Sequence, residues 1–211
     1  MAVEEKIMIP SGPYQLEGLW QTGTGGKGVV ITHPHSLYGG TMHNPVVEVI
    51  QNAYRQNGYA TLRFNFRGVG GSQGDFDDGI GEQNDVRAAI AAVQERGVAE
   101  VALTGYSFGA WVNARLIAKD PITVASMLMV SPPVGFIEFG DVSALNSLEL
   151  VVTGSRDDIA PAEQIRALLP IWNPDARFDI IDDCDHFYAG HLDKLQAILV
   201  QYLKTTSPDP T

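Results

Sequence analysis

The sequence contains little cysteine and little positive charge. A single cysteine, Cys184, excludes an internal disulfide. Only 14 lysine and arginine residues stand against 25 aspartate and glutamate residues, which gives a net charge of −11, and the basic residues form no run. Such a chain is poorly suited to binding nucleic acid or an anionic membrane surface, so we expect neither partner. The acidity is more typical of a surface that keeps a protein soluble.

Long apolar segments are missing as well. No stretch approaches the roughly 18 consecutive apolar residues that a membrane-spanning helix requires. Residues 1–6 also lack the basic-then-apolar pattern of a signal peptide, so we expect a cytoplasmic protein. The chain has 211 residues, 45% of them hydrophobic, which is enough for one sizeable core. We predict a single domain over residues 1–211, with a flexible tail at 205–211.

What the sequence does contain is a regular alternation of strand and helix patterns. Two strands at 3–9 and 14–21, joined through a Pro-Ser-Gly-Pro turn, predict a hairpin at one edge of a sheet. Further strands are predicted at 28–32, 59–66, 101–104, 122–130, 148–153 and 177–181, and helices at 45–56, 81–96, 110–118, 162–169 and 192–203. This order indicates an α/β fold with a mostly parallel, twisted sheet and helices on both faces. Reactive side chains are then expected beyond the carboxyl ends of the strands.

The pattern Gly105-x-Ser107-x-Gly109 lies between a predicted strand and a predicted helix. In this context it predicts a nucleophile elbow, in which the serine occupies a strained turn and small residues two positions away let strand and helix approach closely. The Ser107 hydroxyl is then held out at the carboxyl edge of the sheet. The N–H group of Phe108 begins the helix and can donate a hydrogen bond to an oxyanion.

A serine hydroxyl is protonated at neutral pH and needs a positioned base before it can act as a nucleophile. His186 follows the last predicted strand, and Asp157 follows the strand before it. The order Ser107, Asp157, His186 has separations of 50 and 29 residues, which leave room for the intervening strands and helices. His191 is a rival base, but it opens the last predicted helix, where a histidine is more typical of a solvated or capping position.

Three histidines within eleven residues, His33, His35 and His43, suggest a metal site. No carboxylate or thiol lies at ligand spacing beside them, so hydrogen bonds that shape a loop are the favoured interpretation. The segment at 68–73 resembles a dinucleotide-binding loop, but its sixth position is glutamine where that loop requires glycine. We therefore predict no metal and no cofactor. Cys184 is interpreted as a small buried side chain.

Two longer segments carry a resemblance that covers nearly the whole chain. They are His33-Pro34-His35-x-x-Tyr38-Gly39-Gly40-Thr41-Met42-x-Asn44 and Leu62-Arg63-Phe64-Asn65-Phe66-Arg67-Gly68-Val69-Gly70-x-Ser72. Together with the elbow, these segments resemble the α/β-hydrolases, in particular the small lidless bacterial subgroup related to dienelactone hydrolases. The nucleophile position holds serine where dienelactone hydrolases have cysteine, so their substrate does not carry over. Residues 131–147 are too few for the helical cap that many relatives insert, so an open, shallow site is expected.

The resemblance implies a role for each candidate residue. Ser107 is the nucleophile, His186 is first the base and then the acid, and Asp157 holds the tautomer of the imidazole. In relatives the acid-bearing loop reads Gly-x-x-Asp-x-x-x-Pro, a pattern that selects Asp157 and leaves Asp158 one step out of phase.

The resemblance also implies that the loop after the strand at 28–32 supplies a second oxyanion donor beside Phe108. That donor is a backbone N–H near His35 or Ser36, and the sequence leaves the choice open. Tyr38 and Phe187 neighbour the oxyanion loop and the base, so both are candidates for the wall of an acyl pocket. Other candidates are Met42, Trp111, Phe136, Phe139 and Tyr188, although aromatic and methionine side chains more often belong to the core.

These features together predict a cofactor-free serine hydrolase that acts on small carboxylic esters or thioesters through an acyl-enzyme intermediate. The expected partner is a small-molecule ester or thioester, and both a monomer and a homodimer remain open. Two alternative functions also remain open. One is an acyltransferase or lyase that uses the same three residues, and the other is a non-catalytic protein that kept the fold.

Overall fold

The computed structural model of the chain describes residues 3–120 and 122–206. In this part of the chain, eight strands and five α-helices follow one another. The strands are β1 (Glu5–Ser11), β2 (Tyr14–Gln21), β3 (Lys27–Thr32), β4 (Ala60–Phe64), β5 (Glu100–Tyr106), β6 (Ser126–Val130), β7 (Leu148–Gly154) and β8 (Arg177–Ile181). The helices are α1 (Pro45–Gln56), α2 (Ile80–Gln94), α3 (Phe108–Lys119), α4 (Ala162–Trp172) and α5 (Leu192–Thr206), and a 3₁₀ turn spans Ser36–Tyr38.

All eight strands form one sheet in the order β1-β2-β4-β3-β5-β6-β7-β8. The strands β1 and β2 form an antiparallel hairpin at the edge, and β2 is antiparallel to β4. Every other pairing, from β4 through to β8, is parallel. The predicted fold class and the predicted edge hairpin are therefore confirmed. The carboxyl ends of six parallel strands consequently share one edge of the sheet, which is where ligands bind in folds of this class.

Helices cover both faces of the sheet and enclose two cores. The first core lies under α2, α3 and α4, and the second lies under α1 and α5. Successive residues of the central strand β3 enter these cores in turn, because side chains alternate between the two faces of a strand. Val30 belongs to the first core, whereas Val29 and Ile31 belong to the second. Both faces of β3 are therefore apolar, as expected for a parallel strand covered on both sides.

Several elements differ in length from the sequence prediction. The strand predicted at 59–66 ends at Phe64, because the Phe66 N–H donates to the His33 imidazole and not to a neighbouring strand. The strand predicted from residue 122 begins only at Ser126. The helix predicted to end at residue 169 continues to Trp172, whose buried ring packs on Phe139 at a centroid distance of 5.1 Å. Tertiary packing thus extends a helix through Pro170 that local preference would end.

The carboxyl-terminal region differs in the same way. The predicted helix at 192–203 continues to Thr206, so residues 205–206 belong to α5 and not to a tail. The hydroxyl of Thr205 donates to the Tyr202 carbonyl at 2.7 Å, which stabilises this last turn. Residues 207–211 of the predicted tail lie outside the described residues.

The connection from β6 to β7 carries no helix in the part of the chain that the structure describes, so no cap covers the sheet edge there. This agrees with the prediction from its length. Among the same residues, no helix is long and apolar enough to cross a membrane. The prediction of one domain over residues 1–211 stays a prediction.

Candidate active site

Ser107 occupies the sharp turn between β5 and α3. Its backbone angles are φ 53° and ψ −121°, a region that L-residues enter only under strain. The glycines on either side make the turn possible. A Cβ on Gly105 would lie 2.5 Å from the Ala110 nitrogen, and one on Gly109 would lie 2.6 Å from the Thr32 hydroxyl oxygen. The predicted elbow geometry is thus present, and α3 approaches both β5 and β3 closely.

The structure brings the side chains of Ser107, His186 and Asp157 together. The Ser107 Oγ lies 2.9 Å from His186 Nε2, and His186 Nδ1 lies 2.9 Å and 3.0 Å from the two carboxylate oxygens of Asp157. All three side chains are buried. Asp158 is exposed, and the rival base His191 directs its Nδ1 to the Ala189 carbonyl at 2.9 Å. The three residues expected to act together therefore form one hydrogen-bonded chain, and their two rivals lie outside it.

The Asp157 carboxylate is held by the turn that follows β7. Its Oδ1 accepts hydrogen bonds from the Ile159 and Ala160 N–H groups at 3.0 Å and 2.7 Å. The Thr153 hydroxyl donates to the Ala160 carbonyl at 2.8 Å and thereby fixes the same turn. Burial alone would raise the pKa of Asp157, but the hydrogen bond and charge of His186 and the Ala160 N–H hold that pKa below its ordinary value. The carboxylate is therefore ionised at neutral pH and oriented before any ligand binds.

Three buried residues support this chain, a role that the sequence analysis predicted for none of them, although it named Tyr188 as a pocket candidate. The Tyr106 hydroxyl donates to the His186 carbonyl at 2.8 Å. Ser131, the residue that follows β6, contacts the Tyr188 hydroxyl at 2.8 Å and lowers the pKa of Asp157 through a hydrogen bond. Ser131 also has a positive φ of 45°. Its position directly after a parallel strand was the available sequence signal, because all such positions meet at one edge of the sheet.

The loop after β3 is fixed by His33. This fully buried imidazole donates from Nδ1 to the Pro34 carbonyl at 2.6 Å and accepts the Phe66 N–H at Nε2 at 3.0 Å. Burial lowers the pKa of His33 to about 4, so the ring is neutral near pH 7. The described residues contain no cis peptide bond, so the carbonyl and the N–H of the Pro34–His35 peptide point in opposite directions. The His35 N–H is consequently directed away from the His33 ring.

The two remaining oxyanion candidates have different surroundings. Because α3 begins at Phe108, the Phe108 N–H has no carbonyl of its own helix to bond and is available to a ligand. Ser36 begins the 3₁₀ turn, and its carbonyl accepts the Gly39 N–H at 3.3 Å. Both His35 and Phe108 border the cavity next to Ser107, whereas Ser36 does not.

A cavity of about 240 Å³ adjoins the Ser107 hydroxyl. Its wall is largely apolar and aromatic. The side chains of Tyr38 and Phe187, both predicted for the pocket, border it and are 74% and 70% exposed. Phe136 also lines the cavity, and Pro133, Ile137 and Ile159 complete its apolar wall. The other pocket candidates, Met42, Trp111, Phe139 and Tyr188, are buried and do not line it.

Two of the three histidines that suggested a metal, His33 and His35, have other partners. Both ring nitrogens of His33 bond to the backbone, and His35 Nδ1 accepts the Leu37 N–H at 3.3 Å. The His35 ring packs between Tyr38 and Phe108 at centroid distances of 4.7 Å and 4.6 Å, and its burial lowers its pKa. Among residues 3–120 and 122–206, no group of three or more histidine, cysteine, aspartate or glutamate side chains is placed to hold a metal ion.

The glycine-rich segment after β4 supports the His33 loop and does not form a phosphate cradle. Glu17 accepts the Gly71 N–H at 2.8 Å, so a carboxylate lies where a bound phosphate would require positive charge. The neighbouring Asn65 accepts the Met42 N–H at 2.8 Å and thereby ties this segment to the loop after β3. Cys184 is buried, as predicted, and burial raises the pKa of its thiol to about 11.

This arrangement has a defined chemical capacity. A serine hydroxyl bonded to an imidazole, whose other nitrogen is held by a carboxylate, can lose its proton as it attacks an electrophilic carbon. The adjoining N–H group of Phe108 lies at the amino end of α3, where negative charge is stabilised.

Comparison with known proteins places the chain in a family. A model of the alpha/beta hydrolase family matches residues 29–150. An alpha-beta serine hydrolase homologue from Coxiella burnetii is 34% identical, with a TM-score of 0.87 over 96% of this chain and 99% of that one. A serine hydrolase without a lid from Xanthomonas campestris is 29% identical, with a TM-score of 0.88 over 99% of this chain and 97% of that one.

A relative of uncharacterised function from Rickettsia prowazekii is 35% identical over 83% of this chain and 78% of its own length. The family match, the fold and the uncapped sheet edge agree with one another. The chain therefore belongs to the α/β hydrolase family, as a small serine hydrolase homologue without a lid.

Proposed function

We propose that the protein hydrolyses small carboxylic esters or thioesters through an acyl-enzyme intermediate. Ser107 is the nucleophile, His186 the general base and acid, and Asp157 the carboxylate that holds the imidazole. The observation that carries the proposal is the unbroken hydrogen-bonded chain from Ser107 to Asp157 beside an apolar cavity. The family membership supports the same chemistry, although fold by itself does not establish activity.

In the first half-reaction, Ser107 Oγ attacks the carbonyl carbon of the substrate while its proton moves to His186 Nε2. The carbonyl oxygen becomes an oxyanion, and the bond to the leaving group then breaks as the imidazolium returns that proton to the leaving alcohol or thiol. Water repeats the sequence on the acyl-enzyme and releases the carboxylic acid and free Ser107. The ionised Asp157 stabilises the imidazolium in both halves.

The oxyanion accepts hydrogen bonds from the N–H groups of Phe108 and His35. The Phe108 N–H is at the start of α3. His35 is favoured over Ser36 because the Pro34 carbonyl accepts from His33, so the His35 N–H of the same peptide points away from the His33 ring. His35 also borders the cavity, whereas Ser36 does not. His33 is thus a positioning residue for this donor. Loss of one oxyanion donor typically costs about 10²- to 10³-fold in kcat.

The cavity supports acyl groups of modest size. A cavity of about 240 Å³ has room for a short acyl chain. Tyr38 and Phe187 border its mouth and are largely exposed, so the mouth is open to solvent. Each buried methylene contributes at most about 0.8 kcal/mol, and methylenes beyond the cavity contribute little because they stay in water. The proposed substrates therefore have acyl chains of roughly two to six carbons, a range in which the apolar wall is used without a lid.

Labelling with a fluorophosphonate tests the proposal. The reagent should modify Ser107 alone, and Ser107→Ala should lose about 10³-fold or more in kcat for p-nitrophenyl butyrate while its circular dichroism spectrum stays unchanged. The exposed Ser143 provides a matched control, since Ser143→Ala should keep both labelling and activity. Labelling at another serine, or near-normal activity in Ser107→Ala, would contradict the mechanism.

A further inference from the structure

The cavity beside Ser107 contains no lysine, arginine, aspartate or glutamate among its lining residues. Its walls are mainly aromatic, aliphatic and backbone groups, and its other polar side chains are those of Asn44, Ser107 and the two imidazoles, His186 and His35. A carboxylate or phosphate on a substrate consequently finds no cationic partner in this cavity, and burial of an unpaired charge is costly.

Negative charge collects around the mouth of the same cavity. The five loops that leave the carboxyl ends of β3, β4, β5, β7 and β8 contain eight acidic residues and two arginines, a net charge of −6. The loops at the opposite end of the sheet, at 22–26, 57–59, 95–99, 120–125 and 173–176, contain three acidic residues and one arginine, a net charge of −2. The loops at the active-site edge therefore carry more net negative charge than the loops at the opposite edge.

The two arginines in these loops are already neutralised. Arg67 forms a buried bidentate pair with Asp85 on α2, with nitrogen–oxygen distances of 2.8 Å and 3.0 Å. Arg156 pairs with Asp183 at 2.8 Å. Neither guanidinium is therefore a free cation at the mouth.

Five exposed carboxylates of these loops, Asp75, Asp78, Asp158, Asp182 and Asp185, remain without an ion pair. Three of them, from three different loops, adjoin the cavity, and we call Asp78, Asp158 and Asp185 the mouth carboxylates. Asp78 acts electrostatically on the His35 ring. Asp158 precedes Ile159 of the cavity wall, and Asp185 accepts the N–H of Phe187, which lines the cavity, at 3.0 Å. None of the three forms an ion pair with another described residue. Their fields therefore act on any charge that approaches Ser107.

We propose that the mouth carboxylates and the uncharged cavity restrict this enzyme to esters without negative charge. The inference rests on the proposed function and narrows it, because it selects uncharged or cationic esters and disfavours thioesters of phosphorylated carriers. An anionic substrate is repelled as it approaches and finds no counter-charge once bound. An uncharged ester experiences only the apolar wall and the oxyanion donors.

The test compares two substrates that differ in charge at one position. One is 3-butyryloxy-4-nitrobenzoate, whose leaving group carries a carboxylate, and the other is its uncharged methyl ester. The ratio of kcat/KM should favour the methyl ester by about tenfold at 10 mM ionic strength and fall to about twofold at 0.5 M NaCl, because salt screens exposed charges. A ratio near one at low ionic strength would overturn the proposal.

A pair of double variants identifies the charges that are responsible. Asp78→Asn with Asp158→Asn should raise kcat/KM for the anionic ester about threefold and leave the methyl ester unchanged. Asparagine suits Asp78, whose φ of 49° it tolerates. The matched control, Glu95→Gln with Asp175→Asn, removes the same charge at the opposite end of the sheet and should change neither value.

Two results separate the inference from the proposed function. If the methyl ester is hydrolysed in a Ser107-dependent manner but the selectivity responds neither to salt nor to the mouth variant, the electrostatic inference is wrong and the proposed function stands. If neither substrate is hydrolysed, or if hydrolysis survives in Ser107→Ala, the proposed function fails and this inference fails with it.

Discussion

Substitution of Asp157 by asparagine should stop catalysis by holding His186 in the wrong tautomer. The Ile159 and Ala160 N–H groups both donate to Oδ1 of Asp157, so an asparagine must keep its oxygen at that position. Its NH₂ group then replaces Oδ2, the atom 2.9 Å from His186 Nδ1. The retained oxygen still lies 3.0 Å from Nδ1, but it already accepts two backbone N–H groups, so the amide donor favours the tautomer with its proton on Nε2. Nε2 then donates to Ser107 and no longer accepts from it.

The size of the effect follows from this reversal. Loss of the correct tautomer costs about 10³- to 10⁴-fold in kcat, which corresponds to about 4–5 kcal/mol in the activation barrier. Stability should fall much less, because the asparagine keeps the two backbone hydrogen bonds and loses mainly the charge in a bond to the imidazole, worth about 1–2 kcal/mol.

Asp158→Asn is the matched control, because it makes the same chemical change one residue away on an exposed side chain. It should cost less than about tenfold in kcat for an uncharged ester. Initial rates with p-nitrophenyl butyrate between pH 5 and 9, together with urea unfolding of both variants, measure all of these effects. An unimpaired Asp157→Asn enzyme, or an equal loss in Asp158→Asn, would refute the reasoning.

Three further predictions follow from the cavity, the buried imidazole and the elbow. For p-nitrophenyl esters, kcat/KM should peak at acyl chains of roughly two to six carbons with no jump at a lipid interface; a preference for long chains would contradict the open 240 Å³ cavity. Burial lowers the pKa of His33 from 6.5 to about 4, so the folded state binds fewer protons than the unfolded chain across this range. The free energy of unfolding should therefore fall by about 3 kcal/mol from neutral pH down to pH 4, and urea titrations should find a smaller fall in His33→Asn. Gly109→Ala places a Cβ 2.6 to 2.8 Å from Thr32 and His33 atoms and should cost about 2 kcal/mol or more in stability, whereas Gly25→Ala meets nothing within 4 Å and should change stability little in the same urea assay.

The order of strands and helices was predictable because each element leaves a local pattern. The apolar run of β5, the flanking glycines of the elbow and the alternation of elements all follow from backbone sterics and side-chain periodicity. Boundaries were less predictable, since α4 passes through Pro170 to bury Trp172. In that case a tertiary contact outweighs the intrinsic preference of the local segment.

The candidate site was predictable only where a short motif carries it. Ser107 lies in such a motif. Asp157 was distinguished from Asp158 because it matches the aspartate position of the Gly-x-x-Asp-x-x-x-Pro pattern found in relatives. Ser131 and Tyr188 were not predicted to support Asp157, because they lie in segments 57 residues apart and neither segment has a distinctive pattern. The proposed preference for His35 over Ser36 also rests on a feature that the sequence does not show, namely how one peptide plane is turned.

The amino-acid sequence by itself determined the fold class, the edge hairpin and the turn that carries Ser107, because these depend on residues close together in the chain. Only the tertiary structure decided what surrounds that turn. The contact between His186 and Ser107 joins residues 79 positions apart. The net negative charge at the active-site edge comes from loops that are separate in the sequence. Such features depend on the spatial order of the strands, β1-β2-β4-β3-β5-β6-β7-β8, which no local stretch of sequence encodes.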